Sequence, residues 1–137
     1  MPPSRARPGR AILAAALIAL LAKAFVLDAA VVEGRSMLPL LRPGSVVLVL
    51  RCAYGLRSPF GGEYLLRWGG PREGEVVAAA SPRDGGAVVK RVGGVAGGRV
   101  FLLGDNPDES VDSRNYGSVP VEDLRGKVLF LPRWATR

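Results

Sequence analysis

The chain has 137 residues, 48% of them hydrophobic, and a formal net charge of +7, enough for one domain with a modest core plus one apolar appendage. It contains no histidine and a single cysteine, Cys52, which excludes a Ser-His-Asp triad, a Cys-His dyad, an intrachain disulfide and an ordinary zinc site. The excess charge is scattered arginine, neither set along one helix nor interleaved with aromatics, so no nucleic-acid partner is expected and an anionic membrane surface is favoured.

In chain order, residues 1–10 form a basic start carrying Arg5, Arg7 and Arg10. Residues 11–28 are then nearly all apolar, interrupted by Lys23 and Asp28. As a helix, Ala11 to Ala22 alone reaches only about 18 Å, so a span of the roughly 30 Å hydrocarbon core has to extend through Leu27, with Lys23 snorkelling at the far boundary. A single-pass anchor is expected, its N-terminus cytoplasmic by the positive-inside bias and residues 29–137 outside the plasma membrane. A cleaved secretory signal is the competing reading of the same segment.

Beyond Val32 no stretch holds a 3.6-residue apolar period. Short β-branched runs follow instead: Ser45 to Leu50, Glu75 to Ala80, Ala87 to Val92, Arg99 to Leu103 and Gly126 to Leu131. Turn signals at Arg42-Pro43-Gly44, Asp84-Gly85-Gly86 and Gly93-Gly94 punctuate them, so a mainly β domain, a coiled sheet or barrel, is expected. Ala53 to Glu73 is expected to be a long loop or irregular hairpin. Pro120 is placed to open one short helical turn before the last strand.

Three strings carry the chemistry. Ser36 lies between Gly34 and Pro39, where unusual backbone geometry can present a nucleophile, although serine between glycine and proline is also ordinary turn chemistry. With no histidine to take its proton, a desolvated lysine is the known substitute. Lys23 belongs to the apolar segment and Lys127 to the last strand, which leaves Lys90. Alternation puts Lys90 on the side of Val88 and Val92, opposite Val89 and Arg91, where an inward ammonium would be neutral at pH 7; a solvent-facing lysine on an edge strand is the alternative. The third string runs from Gly104 to Gly117. Here Asp112 and Arg114 have the spacing of an ion pair that buttresses a loop, and Ser110 is placed to bond a lysine amine; a calcium-binding acidic loop is the other option, without EF-hand spacing.

Together these strings resemble the type I signal peptidases. The resemblance runs from the apolar segment to Trp134 through Gly-Arg-Ser-Met-Leu-Pro at 34–39, Arg-Pro-Gly-Ser-Val-Val at 42–47, Gly-Glu-Val-Val at 74–77, Val-Lys-Arg-Val at 89–92 and the Gly-Asp-Asn to Ser-x-Asp-Ser-Arg segment at 104–114. It implies that Ser36 is the nucleophile, that Lys90 is its general base, that Ser110 orients the amine, and that Asp112 and Arg114 hold the loop. It further implies a coiled antiparallel β domain on the outer membrane face, no cofactor or metal, and signal peptides of preproteins as substrates, cut after small residues of the Ala-x-Ala type. Some relatives carry a serine hydroxyl in the oxyanion hole at the position of Gly34; here the Ser36 N–H is the clear donor, with the Gly34 backbone beside it. The substrate is expected to pair along roughly Ala30 to Gly34, with Val32, Met37, Leu38 and Val88 walling its pockets. Only about a dozen residues separate Lys90 from Gly104. That compactness resembles conjugation-related maturation peptidases as well as housekeeping signal peptidases. A monomer in contact with membrane lipids is expected. A repressor-type autoprotease and an inactive membrane-tethered peptide-binding module are the rival readings.

Overall fold

A computed structural model describes residues 7–60 and 63–130. Its first element, α1 (Pro8–Phe25), opens on a proline whose fixed φ suits a helix start. Its 18 residues reach about 27 Å. None of its side chains is buried against the rest of the protein, and its mean hydropathy is 1.6. By length and composition it can span a membrane. The helix stops three residues before the expected boundary at residue 28, because Leu27 and Asp28 enter the first strand.

The remainder is mainly β, a curled, half-barrel antiparallel sheet with a separate hairpin. The strands are β1 (Leu27–Val31), β2 (Val46–Leu50), β3 (Gly55–Arg57), β4 (Tyr64–Arg67), β5 (Val76–Ala80), β6 (Ala87–Ala96), β7 (Arg99–Leu103), β8 (Val119–Pro120) and β9 (Leu124–Leu129). Seven of them form one sheet in the order β1-β2-β9-β5-β6-β7-β8, while β3 and β4 pair alone. The expected loop or hairpin at Ala53 to Glu73 is therefore a hairpin over part of its length. The turn expected after Pro120 is a single 3-10 turn, Val121–Asp123. Residues 1–6 of the basic start, and Leu131 at the end of the last expected strand, lie outside the described residues.

One expected turn is absent. Gly93 and Gly94 do not end a strand; β6 runs through them to Ala96, with a register shift against β7 between Val92 and Gly94. A Cβ at Gly93 would lie 2.7 Å from the Leu103 side chain, so this glycine serves close approach within a bulged ladder. The chain reverses instead at Gly97 and Gly98, both at positive φ, where glycine carries no Cβ penalty.

Two apolar clusters cover the sheet. One gathers Tyr54, Val77, Ala79, Val92, Val100, Leu102, Val119, Val121 and Leu124. The other gathers Val32, Met37, Leu41, Val47, Val49, Val76, Ala78 and Val128. Successive residues of β5 alternate between them, as the two-residue strand period requires. β6 thus lies deep in the sheet, and its middle is covered.

Candidate active site

Ser36 lies on an excursion between β1 and β2. Two main-chain bonds close its base: Val32 N–H donates to the Ser45 carbonyl and Gly44 N–H to the Val32 carbonyl, both at 2.8 Å. Inside the excursion Leu38 N–H reaches the Arg35 carbonyl and Leu41 N–H the Met37 carbonyl. Met37, 1% exposed, and Leu41 pin this turn into the second cluster. Gly34 has φ +75°, and a Cβ there would meet nothing within 4 Å, so backbone conformation rather than crowding calls for glycine. Ser36, between these fixed points, is half-buried.

Lys90 stands in the middle of β6, opposite Val77 of β5. Its neighbours two residues away on the same face are Val88 and Val92, both packed on the first cluster. Lys90 is 4% exposed, which settles its direction as inward. Burial, the dominant influence, pushes its amine below the ordinary lysine range; Asp112 pulls it back up and Arg114 pushes it down again. Its ammonium forms no ion pair among the described residues. Nζ donates instead to the Ser110 hydroxyl at 3.1 Å, and Ser110 donates onward to Asp112 Oδ2 at 2.7 Å.

Asp112 organises the loop. Its side chain is fully buried and accepts from Gly104 N–H at 2.8 Å and from Arg114 through Nε at 2.9 Å and Nη2 at 2.5 Å. It also caps the short helix α2 (Ser113–Tyr116), taking the Arg114 N–H while Asn115 returns a bond to the Asp112 N–H. Burial by itself would raise the carboxyl pKa, but the bonds from Arg114, Gly104 and Ser110 outweigh it and hold Asp112 well below the usual carboxylate range. The carboxylate therefore stays ionised and keeps Ser110 pointed away from solvent.

The Ser36 excursion and the Ser110 loop meet at Gly104. A Cβ on this residue would collide with the Ser110 side chain and lie 2.8 Å from the Ser36 carbonyl oxygen, so only glycine lets the two segments close. Asn106 N–H donates to the Ser36 carbonyl at 2.8 Å, Asn106 Nδ2 donates to the Arg35 carbonyl at 3.0 Å, and Arg35 pairs with Glu109 at 3.5 Å. On the other side Arg91 grips Asp105 with two bonds of 2.8 Å and adds a third to the Gly74 carbonyl. In the free chain the Ser36 hydroxyl makes no hydrogen bond to Lys90; such contacts often tighten only when substrate is bound.

Hydrogen bonds link Lys90, Ser110, Asp112 and Arg114 in one chain, and Gly104 brings the Ser36 carbonyl up to the Ser110 side chain. Of the four expected pocket walls, Val32 and Met37 are core residues of one cluster, Val88 packs on the other, and Leu38 is half-buried. Sequence reasoning left Asn106, Gly104, Arg91, Asp105 and the Arg35–Glu109 pair without roles. Their signal was the clustering of Gly-Asp-Asn beside the Ser110 loop. An open depression of about 740 Å3 beside Glu75, Lys127 and Phe130 includes none of the site residues. No group of three acidic or cysteine side chains among the described residues is arranged to hold a metal.

The site thus holds a half-buried serine on one segment and, on the other, a buried lysine amine hydrogen-bonded to a second hydroxyl. The chain matches the family model described as "Signal peptidase, peptidase S26" over residues 5–100 and 95–134. It belongs to that family. Mitochondrial inner membrane protease subunit 1 of Schizosaccharomyces pombe is 32% identical over 118 residues, covering 71% of this chain and 68% of the yeast protein. Signal peptidase I of Buchnera aphidicola subsp. Baizongia pistaciae is 27% identical over 85 residues, covering 61% of this chain and 27% of its own length. The Xenopus tropicalis mitochondrial inner membrane protease subunit 1 is 46% identical over 56 residues, 41% of this chain and 32% of the frog protein. The last two alignments span a third or less of those relatives.

Proposed function

We propose that this chain is a membrane-bound serine endopeptidase that removes signal peptides from exported preproteins, with Ser36 as nucleophile and Lys90 as general base. The observation that carries the proposal is Lys90: an amine 4% exposed, with a hydroxyl in place of a carboxylate as its partner. A neutral amine has one lone pair and two N–H groups. Ser110 accepts one N–H, which leaves the lone pair for the Ser36 proton.

In the forward step Lys90 takes the Ser36 hydroxyl proton as Oγ bonds to the scissile carbonyl carbon, and negative charge moves to the carbonyl oxygen. The Ser36 N–H faces that charge, with the Gly34 backbone as the second candidate donor. The protonated Lys90 gives its proton to the departing amine as the C–N bond breaks, leaving an acyl group on Ser36. Lys90 next deprotonates a water that attacks the ester, and Ser36 recovers its proton as the acid leaves.

Substrate access is supported by β1. It is one of the two edge strands of the sheet, paired only with β2 among the described strands, so its other side is open to an extended peptide running along Ala30 to Gly34. Small residues at the first and third positions before the cut suit walls formed by Val32, Met37, Leu38 and Val88. The basic N-terminus is placed in the cytoplasm and the β domain on the outer face of the plasma membrane, as a monomer touching lipid. There α1 concentrates enzyme and substrates in one bilayer.

The test is mass spectrometry of a preprotein bearing an Ala-x-Ala site, incubated with the full chain in detergent micelles. The expected product is cut after the second alanine, and Ser36→Ala yields none. Unchanged cleavage by Ser36→Ala would refute the nucleophile. Absence of both cleavage and a Ser36 adduct with a serine-directed acylating reagent would identify a peptide-binding module instead.

A further inference from the structure

The Ser36 N–H and the Arg35 carbonyl belong to one peptide unit. That unit is planar and trans, so the two groups point in opposite directions and fixing one fixes the other. Asn106 Nδ2 donates to the Arg35 carbonyl at 3.0 Å, while the Asn106 main-chain N–H donates to the Ser36 carbonyl at 2.8 Å. One residue therefore holds the carbonyls on both sides of the nucleophile. The carbonyl can only accept, so chemistry dictates which amide atom of Asn106 faces it. The Ser36 N–H itself donates to none of the described residues and is free for a ligand.

We infer that Asn106 is a positioning residue for the oxyanion hole: its side-chain amide sets the direction of the Arg35–Ser36 peptide, and so aims the Ser36 N–H at the developing oxyanion. Two donors on the Arg35 carbonyl, Asn106 Nδ2 and Leu38 N–H at 3.2 Å, also polarise that amide and strengthen its N–H as a donor. The contribution matters because Gly34 offers no side-chain hydroxyl, leaving main-chain groups to meet the charge. The 35–36 peptide has few other restraints: Gly34 precedes it at φ +75°, and the Arg35 side chain is held by a half-exposed ion pair to Glu109. The arrangement distinguishes Asn106 from Ser110, which acts on the base rather than on the hole.

The inference rests on the proposed role of Ser36 as nucleophile. Its test uses the full chain in micelles and two variants, Asn106→Asp and Asn106→Ala. The first keeps the shape but replaces the donor with an acceptor; both retain the main-chain bond to Ser36. The expected result is a fall in kcat of about tenfold to a hundredfold, below the full loss of an oxyanion donor, with KM within about twofold. Affinity for a peptide aldehyde, whose adduct with Ser36 carries an oxyanion, should fall in parallel. In Asn106→Ala, which adds no charge, the pH at which activity rises should not move, because Lys90 is untouched. Active-site titration with an acylating reagent counts the folded enzyme, so a variant that merely unfolds part of the population is corrected for. Wild-type kcat and aldehyde affinity per titrated site in both variants would overturn the inference. So would a kcat loss in Asn106→Ala accompanied by a shifted pH profile, which would place Asn106 on the base instead. Cleavage retained by Ser36→Ala would overturn the parent proposal, and is read from a separate variant.

Discussion

Lys90 and Lys127 flank the same residue: Val77 of β5 pairs with Lys90 on one side and with Lys127 on the other. Cross-strand partners face the same way, so the two lysines stand at one level on one face of the sheet. Their surroundings differ. The Lys127 side chain is 39% exposed and reaches Glu75 Oε1 at 3.2 Å, and Glu75 is also held by the Tyr54 hydroxyl at 2.6 Å and by Arg72 N–H. Burial would raise the Glu75 carboxyl, but the bonds from Tyr54, Arg72 and Lys127 bring it below its ordinary value. Lys127 thus has a carboxylate that stays charged, whereas Lys90 is 4% exposed and, among the described residues, has only the Ser110 hydroxyl within hydrogen-bond reach. Burial without a bonded counter-charge is what sets Lys90 apart, and it disfavours the charged form.

That comparison is broken most severely at Lys90. Lys90→Ala should lower kcat for preprotein cleavage by a factor on the order of 10²–10⁴, with a circular dichroism spectrum like that of wild type. Lys127→Ala should leave kcat within about threefold and lower unfolding stability by under about 1 kcal/mol, as expected for a partly exposed pair. Equal losses from the two would mean that the sheet, not the partner, decides. Ser110→Ala should come next, lowering kcat by roughly tenfold to a hundredfold because the amine loses its one fixed bond; full activity in a stopped cleavage assay would remove Ser110 from the site. A smaller and directional effect is expected from Asp112→Asn. Asp112 raises the Lys90 pKa and Arg114 lowers it, so losing the carboxylate charge should move the rise of activity toward lower pH. A shift upward would contradict the electrostatic account.

Much of the fold was legible because β-branched runs and glycine turns are local signals. Five expected strands are present, and β-alternation alone placed Lys90 with Val88 and Val92. The first strand was legible only at its end, as the stretch from Ala30 expected to pair with substrate; its start at Leu27 continues the apolar run of α1, and an apolar run has no period from which to read a change of element. Gly93-Gly94 misled because a glycine required by close approach and one required by a turn are identical in sequence. In the site, the Asp112–Arg114 pair was legible from its two-residue spacing. The ion pair of Lys127 was not, since its partner Glu75 lies 52 residues away in the chain. Asn106 escaped for the same reason: its bond to Arg35 joins residues 71 apart, and no local pattern reports it.

The central claim is that Lys90 works as a neutral amine, and the most direct measurement is kcat/KM of the full chain against pH, from mildly acidic to alkaline. Burial lowers the folded-state pKa of Lys90, so its neutral fraction, and the rate with it, should rise with pH through one ionisation centred below the roughly 10.4 of a free lysine. That ionisation should persist unchanged in Lys127→Ala. A rate that is flat across the range, or whose midpoint follows Lys127, would contradict the account.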